Sequence, residues 1–247
     1  LIMDQGVALF HPEQMDTRLS KAAQVYELLR DAIISLRLAP DAPILEREIS
    51  MQLGVSRTPF REALLQLATE SLVRIAPSDG TFVNRIILSE VLQGQLVRDT
   101  IEMRLTRLAA RNFSESFEKD FELALFRQSS AAKRQDVDEF FTLDNEFHRL
   151  ICKCAGFPEA WQTIHGATGQ LDRCRRLAFS LEAHYSAVYD EHAAMYERLR
   201  ASDEAGVAEI FQVQLDSTFP SIDILLRERP DVVVAEGKAD FDVARIR

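Results

Sequence analysis

At 247 residues the chain exceeds the ~100 to 200 typical of one domain, so two domains are expected. A net charge of -10 and a pI near 5.1 exclude a uniformly basic polyanion binder, and no apolar run approaches the ~18 residues that a membrane crossing needs. With no signal-peptide pattern at the start, a soluble cytoplasmic protein is expected. Cys152, Cys154 and Cys174 are odd in number, and the Cys-x-Cys lacks a second pair to complete a tetrahedral zinc site, so they read as buried or idle thiols in a reducing compartment.

In chain order, residues 1–17 show no sustained periodicity and read as a flexible tail. An apolar-periodic helix over 22–36 and a short helix over 46–53 come next. Gly54-Val55-Ser56-Arg57-Thr58-Pro59-Phe60-Arg61 is then a tight turn feeding a third helix. Gly54 permits the reversal, Ser56 or Thr58 can cap the exposed amides, and Pro59 is tolerated only in a first helical turn. Arg57 and Arg61 lie four apart on one face, while Phe60, Leu64 and Leu67 take the other. Such a helix start, with basic and hydroxyl side chains, suits phosphate. The β-prone runs 72–75 and 81–83, split by Pro77-Ser78-Asp79-Gly80, complete a winged helix-turn-helix over 18–85.

Charge divides at the same place. Residues 18–85 carry nine Lys and Arg against eight Asp and Glu, and the remainder twenty against thirty-one. A small, marginally basic unit joined to a larger acidic one fits a DNA reader whose partner domain has another task. Residues 86–229 read as purely helical, in segments over 89–112, 116–134, 137–155, 158–181, 183–201 and 203–226. Ser116, Gly156-Phe157-Pro158 and Ser202-Asp203 punctuate them, and the short connections make an antiparallel bundle. Pro220 should kink or end the last helix, and residues 230–247 read as a second tail. The fold class is therefore mainly α, with a β-hairpin wing.

Polar residues interrupt the apolar stripes of this bundle. Asp144 and His148 share a stripe with Phe140, Phe141 and Ile151; His192 falls in the row of Val188, Met195 and Leu199. Gln214 continues Val207, Ile210 and Phe211, and Arg98 joins Val97, Ile101 and Leu105. Burying such groups without partners costs several kcal/mol, so they meet each other, a metal or a ligand. Asp144 and His148 at i, i+4 have a metal-ligand spacing that a simple hydrogen bond also explains. A metal-dependent hydrolase is the rival class, yet no His-Glu-x-x-His, nucleophile elbow or Gly-rich phosphate loop is present. A non-DNA helical scaffold is opposed by the segment around Arg57.

Leu45-Glu46-Arg47-Glu48, then residues 53–59 with Arg61-Glu62-Ala63-Leu64, resemble the GntR-type winged helix-turn-helix over about residues 26–83. That resemblance implies bases or phosphates for Arg47, Arg57 and Arg61, the DNA backbone for Ser56 and Thr58, and the wing tip for Gly80. Solvated surface charge is the plain alternative for each arginine, and a helix cap for Ser56. Asp41, Leu36 and Ser71 stand where the family has glycine, at cap and loop positions that bear on local stability more than on DNA contact.

Arg98 to Glu102, Asp144-x-x-Phe147-His148 and Glu191-His192, with Asp203 and Ala208 after them, resemble the FCD ligand-binding domain of the FadR branch over roughly residues 90–227. The resemblance implies a homodimer on operator DNA and an ion held by one Asp and three His, which with a basic residue binds a small organic acid. Asp144, His148 and His192 match. The third histidine falls by spacing on Gln214, a poorer ligand that weakens the site for zinc, nickel or manganese. Three alternatives stay open: the weakened metal site, a metal-free pocket binding effector through Arg98, His148 and His192, or a satisfied polar core in which Arg98 pairs with Glu102.

Overall fold

The computed structural model of the chain describes residues 10–14, 19–182 and 185–234. It is mainly helical and divides into two compact units, Leu1–Ile87 and Leu88–Arg247. Most of both expected tails lies outside the described residues. Of the first, Phe10 is buried with the core of the N-terminal unit.

In the N-terminal unit, α1 (Lys21–Ile34), α2 (Glu46–Leu53) and α3 (Arg57–Thr69) surround a core of Leu29, Ile33, Phe60, Leu64 and Leu67. Ser20 opens α1 by accepting the Ala23 amide at 3.1 Å. The buried carboxylate of Glu70 ties α1 to the end of α3, taking the Tyr26 hydroxyl and, at 3.1 Å, Arg30 Nε. Gly54, in the left-handed region at φ 64°, closes α2 and turns the chain into α3. Ser56 occupies the N-cap position of α3, but its side chain caps no amide, contrary to the capping role expected of Ser56 or Thr58. Its hydroxyl is left facing outward.

The wing is β1 (Val73–Ala76) antiparallel to β2 (Gly80–Val83), in the register Val73 to Val83 and Ala76 to Gly80. Residues 41–44 run along the other edge of β2, with Ile44 N–H donating to Thr81 O at 2.8 Å and Val83 N–H to Ala42 O at 3.0 Å. Leu36, Asp41 and Ser71, the three non-glycine departures, all have left-handed backbone at φ 59°, 63° and 56°. Leu36 and Ser71 follow the ends of α1 and α3, where closing the last turn calls for that conformation.

The C-terminal unit contains α4 (Leu88–Val97), α5 (Met103–Asn112), α6 (Glu118–Arg134), α7 (Val137–Cys154), α8 (Ala160–Ala167), α9 (Gly169–Glu182), α10 (Tyr185–Arg200), α11 (Glu204–Asp216) and α12 (Thr218–Glu228). Helices α5, α6, α7, α10 and α11 enclose the main core, in which Phe121, Phe147, Tyr196 and Phe211 are buried. A Cβ on Gly94 would lie 3.2 Å from both Ala167 O and Leu171 Cβ, so glycine is what lets α4 approach the α8–α9 junction.

Three expected helices are subdivided. The first is interrupted by a π turn over Arg98–Glu102, where Met103 N–H donates to Arg98 O. The fourth breaks at Thr168, between α8 and α9. The last breaks at Ser217 because Pro220 has no N–H for the carbonyl of Asp216 four residues earlier; Pro220 instead sits in the first turn of α12. Ser116 is not a cap: Ser114 precedes a short 3-10 turn, Glu115–Phe117, that contains Ser116. Asp203 does cap α11, accepting Gly206 N–H at 2.9 Å.

Candidate functional site

On the N-terminal unit Arg47, Ser56, Arg57, Thr58, Arg61 and Gly80 are all exposed. Arg57 and Arg61 project from the solvent face of α3, opposite buried Phe60, Leu64 and Leu67. Arg61 Nε lies 3.4 Å from Glu46 Oε1 in an exposed pair, weak enough to exchange for phosphate. Gly80, at φ 123°, begins β2 beside the turn. Arg74, unremarked in the sequence, lies over the Phe82 ring at 4.4 Å and adds a cation to the wing.

Within the bundle Arg98, Asp144, His148, His192 and Gln214 converge, all buried. One donor atom from each of Asp144, His148 and His192 lies within 4.8 Å of the other two. His192 stacks flat on Phe147, with ring centroids 4.1 Å apart, and its Nδ1 lies 2.9 Å from Gln128 Oε1. That leaves His192 Nε2 facing Asp144 Oδ1 at 3.7 Å, and neither atom has a hydrogen-bond partner. The other oxygen of Asp144 is held by Arg175. His148 Nδ1 lies 2.6 Å from Glu102 Oε1.

The guanidinium of Arg98 bridges the polar groups. Its Nε donates to Glu102 Oε2 at 2.7 Å, and its Nη2 lies 3.3 Å from His148 Nε2 and 3.4 Å from Gln214 Oε1. The plain Arg98–Glu102 pair is thus present, but within the cluster rather than instead of it. At i, i+4 the two side chains share one face of the helix, and both are buried there across the π turn.

Electrostatics keep the two carboxylates ionised. Burial raises the Asp144 pKa, but Arg175 first and then His148, His192 and Arg98 outweigh it, and the net shift is downward. Glu102 is likewise raised by burial and lowered further by Arg98 and His148. Burial pushes His192 down to about 3, against the pull of Asp144, so its imidazole is neutral and able to ligate. Two orphaned buried atoms, a carboxylate oxygen and an imidazole nitrogen, aimed at one another beside a second imidazole, form a donor set that fits a divalent ion.

A cavity of about 90 Å³ adjoins this cluster, lined by Arg98, Asp144, Arg175 and Gln214 on one side and by Glu191, Ser217, Thr218 and Ser221 on another. Arg175, Glu102, Gln128 and Glu191 were not singled out as site residues in the sequence. Arg175 lies in Asp172-Arg173-Cys174-Arg175-Arg176, a charged run that reads as a solvated face; the i, i+3 pair with Asp172, observed at 3.3 Å, was its only signal. All three cysteines are buried and free, and burial drives Cys152 and Cys174 up to about 12. Among the described residues no helix is long and apolar enough to cross a membrane.

Residues 21–83 match the family of bacterial regulatory proteins of the gntR type, and residues 95–216 match the FCD domain. The HTH-type transcriptional repressor RspR of Escherichia coli K12 is 32% identical over 208 residues, which span 84% of this chain and 91% of that protein. An HTH-type regulator from an unstable DNA locus of Streptomyces ambofaciens is 29% identical over 213 residues, 86% of this chain and 89% of the relative. The solved structure of E. coli McbR/YncC shares the fold, with a TM-score of 0.73 over 85% of this chain and 99% of that one at 19% identity. With a gntR-type DNA-binding unit followed by an FCD domain, and with relatives of matching length, the chain belongs to the GntR family of bacterial transcriptional regulators and is not an enzyme.

Proposed function

We propose that this protein is a cytoplasmic, homodimeric repressor of the FadR branch whose hold on operator DNA is set by a small organic acid bound in the FCD domain beside a divalent ion. The observation that carries the effector half is the buried cluster of Asp144, His148 and His192, with Oδ1 of Asp144 and Nε2 of His192 lacking partners. These three residues would hold zinc, nickel or manganese, with Gln214 or water completing a weakened shell. When bound, the ion supplies positive charge where an acid can reach it.

The chain's own charges favour this over a metal-free pocket. Arg98 is matched by Glu102, and Arg175 by Asp144 and Asp172. An incoming carboxylate would find both guanidiniums already paired, and displacing a buried partner costs about 3–5 kcal/mol. Arg98 and Arg175 then orient the acid, while Glu191 and the hydroxyls across the cavity take its polar end.

On DNA, the two α3 helices of a dimer would enter successive major grooves of a pseudo-palindrome, with Arg47, Arg57 and Arg61 on bases or phosphates, Ser56 and Thr58 on the backbone and Gly80 at the wing tip. Repression is supported by the name of the relative RspR. Effector binding would bias the pose of the two DNA-binding units, a coupling of typically ~1–3 kcal/mol.

The deciding experiment replaces both Arg57 and Arg61 with Ala and measures affinity for the DNA upstream of the chain's own gene at fixed salt. Unchanged affinity would reject the DNA contacts. For the ion, protein purified without chelator or tag metal is analysed for its elements. Less than about a tenth of an equivalent, with no thermal shift on adding zinc, nickel or manganese, would return the site to a metal-free pocket.

A further inference from the structure

We infer that Glu102 is the positioning residue of the effector site: one carboxylate fixes the tautomer of His148 with one oxygen and the pose of Arg98 with the other. This rests on the assignment of Asp144, His148 and His192 as ligands, and adds a residue that touches neither ion nor acid.

The geometry is specific. Glu102 is 1% exposed, and its two oxygens are divided between two partners. Oε2 accepts Arg98 Nε–H at 2.7 Å, and Oε1 lies 2.6 Å from His148 Nδ1. The contact is close but not aligned as a hydrogen bond, and neither Oε1 nor Nδ1 has a hydrogen-bond partner elsewhere among the described residues, so each is the nearest counterpart the other has. A neutral imidazole has one N–H and one lone pair, and an ionised carboxylate only accepts. The nitrogen facing Glu102 therefore carries the hydrogen, and the lone pair goes to Nε2, on the side of Arg98 and Gln214.

His192 provides the contrast. Its Nδ1 faces Gln128 Oε1, but an amide turned over would present N–H instead, so Gln128 enforces no tautomer. Only the carboxylate does. A carboxylate behind a ligating imidazole also raises its basicity, which offsets part of what the site loses by having Gln214 in place of a third histidine. The i, i+4 spacing lets one helix deliver both the guanidinium and this carboxylate inward.

The test uses the full-length, chelator-treated protein and its Glu102→Gln, Glu102→Asp and Asp144→Asn variants. Zinc affinity is measured by competition with a chromophoric chelator, and the His148 tautomer by ¹⁵N NMR of the metal-free protein. A glutamine amide can accept from only one of its two partners. With its oxygen on Arg98 its NH₂ faces His148 Nδ1 and demands the opposite tautomer. Glu102→Gln should therefore weaken zinc by about 10 to 100-fold and move the His148 tautomer, while Glu102→Asp, still an acceptor only, keeps the tautomer and loses less. Gly94→Ala, which crowds α4 against the α8–α9 junction and replaces no polar group, should lower Tm with less effect on zinc affinity than Glu102→Gln and so sets the scale of a merely structural effect.

If the wild type binds zinc, Asp144→Asn loses it and Glu102→Gln binds within threefold of wild type, the role of Glu102 is overturned. Failure of the wild type to bind zinc at all would instead reject the metal assignment. The tautomer still decides for Glu102 in that case: Nδ1–H in the wild type supports it, and Nε2–H overturns it. Should Glu102→Gln not fold, Glu102→Asp takes its place: wild-type zinc affinity together with an Nε2–H tautomer in the wild type would overturn the proposal.

Discussion

Asp144 and His192 face one another across 3.7 Å with their nearest polar atoms lacking any hydrogen bond, although both side chains are fully buried. Leaving two such atoms unsatisfied costs free energy, and a shared ion removes the penalty at both. Asp144→Asn preserves volume and leaves an oxygen near Arg175, so the fold should survive. Metal affinity should fall by more than tenfold, read by chelator competition alongside circular dichroism.

Gln214 offers the converse experiment. It lies 3.4 Å from the Arg98 nitrogen that also approaches His148, on the wall of the cavity. Gln214→His should tighten zinc or nickel binding, measured by the same competition. No change would mean that position 214 does not reach the ion.

Arg57 and Arg61 differ in their surroundings, and their variants should differ too. No ion pair to Arg57 is present among the described residues, whereas Arg61 is close to Glu46. If Arg57 reads a base, Arg57→Ala costs about 1–3 kcal/mol of operator affinity and relaxes preference at one base pair; if it holds a phosphate, the salt slope falls by about 1 with little change in preference. Glu46→Gln frees Arg61 and removes a like charge facing phosphate, so operator affinity should rise, more at low salt than at high.

Leu36 and Ser71 hold left-handed backbone that costs a residue with a Cβ roughly 1–2 kcal/mol. Glycine removes that strain but adds unfolded-state entropy. Leu36→Gly and Ser71→Gly should each stabilise the protein modestly, by up to about 1 kcal/mol in urea unfolding. Asp41→Gly should gain less, because it also removes the 2.6 Å contact with Arg85.

Stability should fall on acidification of the metal-free protein. Folded His192 takes a proton only near pH 3, whereas an unfolded histidine does so near pH 6.5. Between those values the unfolded state binds more protons, so this group destabilises the fold progressively as pH drops from about 6.5 towards 3. Glu102 and Asp144, lowered in the fold, stabilise it above the ordinary carboxylate range, and this contribution disappears as pH falls further. His192→Gln should flatten the unfolding free energy between pH 6.5 and about 4. An unchanged slope there would show that His192 already titrates normally.

Much of the architecture was legible in the residue order because periodicity and punctuation are local. Phe60, Leu64 and Leu67 declare the buried face of α3 and leave Arg57 and Arg61 outward; Gly54 marks the turn. The replaced glycines at 36, 41 and 71 pointed to positions where the backbone is indeed left-handed. The inward direction of Asp144, His148, His192, Gln214 and Arg98 followed from their spacing against apolar neighbours, and all five are buried.

What only the tertiary structure decided is which side chain answers which. Arg175 comes from a run that looks solvent-facing, and reaches Asp144 because α9 packs beside α7. Glu102 stands one turn after Arg98 on the same face, but it meets His148 only because its helix packs beside α7. Gln128 was one polar residue among many on α6 until it met the His192 ring at 2.9 Å. Sequence spacing fixes the face on which a residue stands, but partners separated by 30 to 120 positions are chosen by how helices pack, and that packing sets the charge balance of the site.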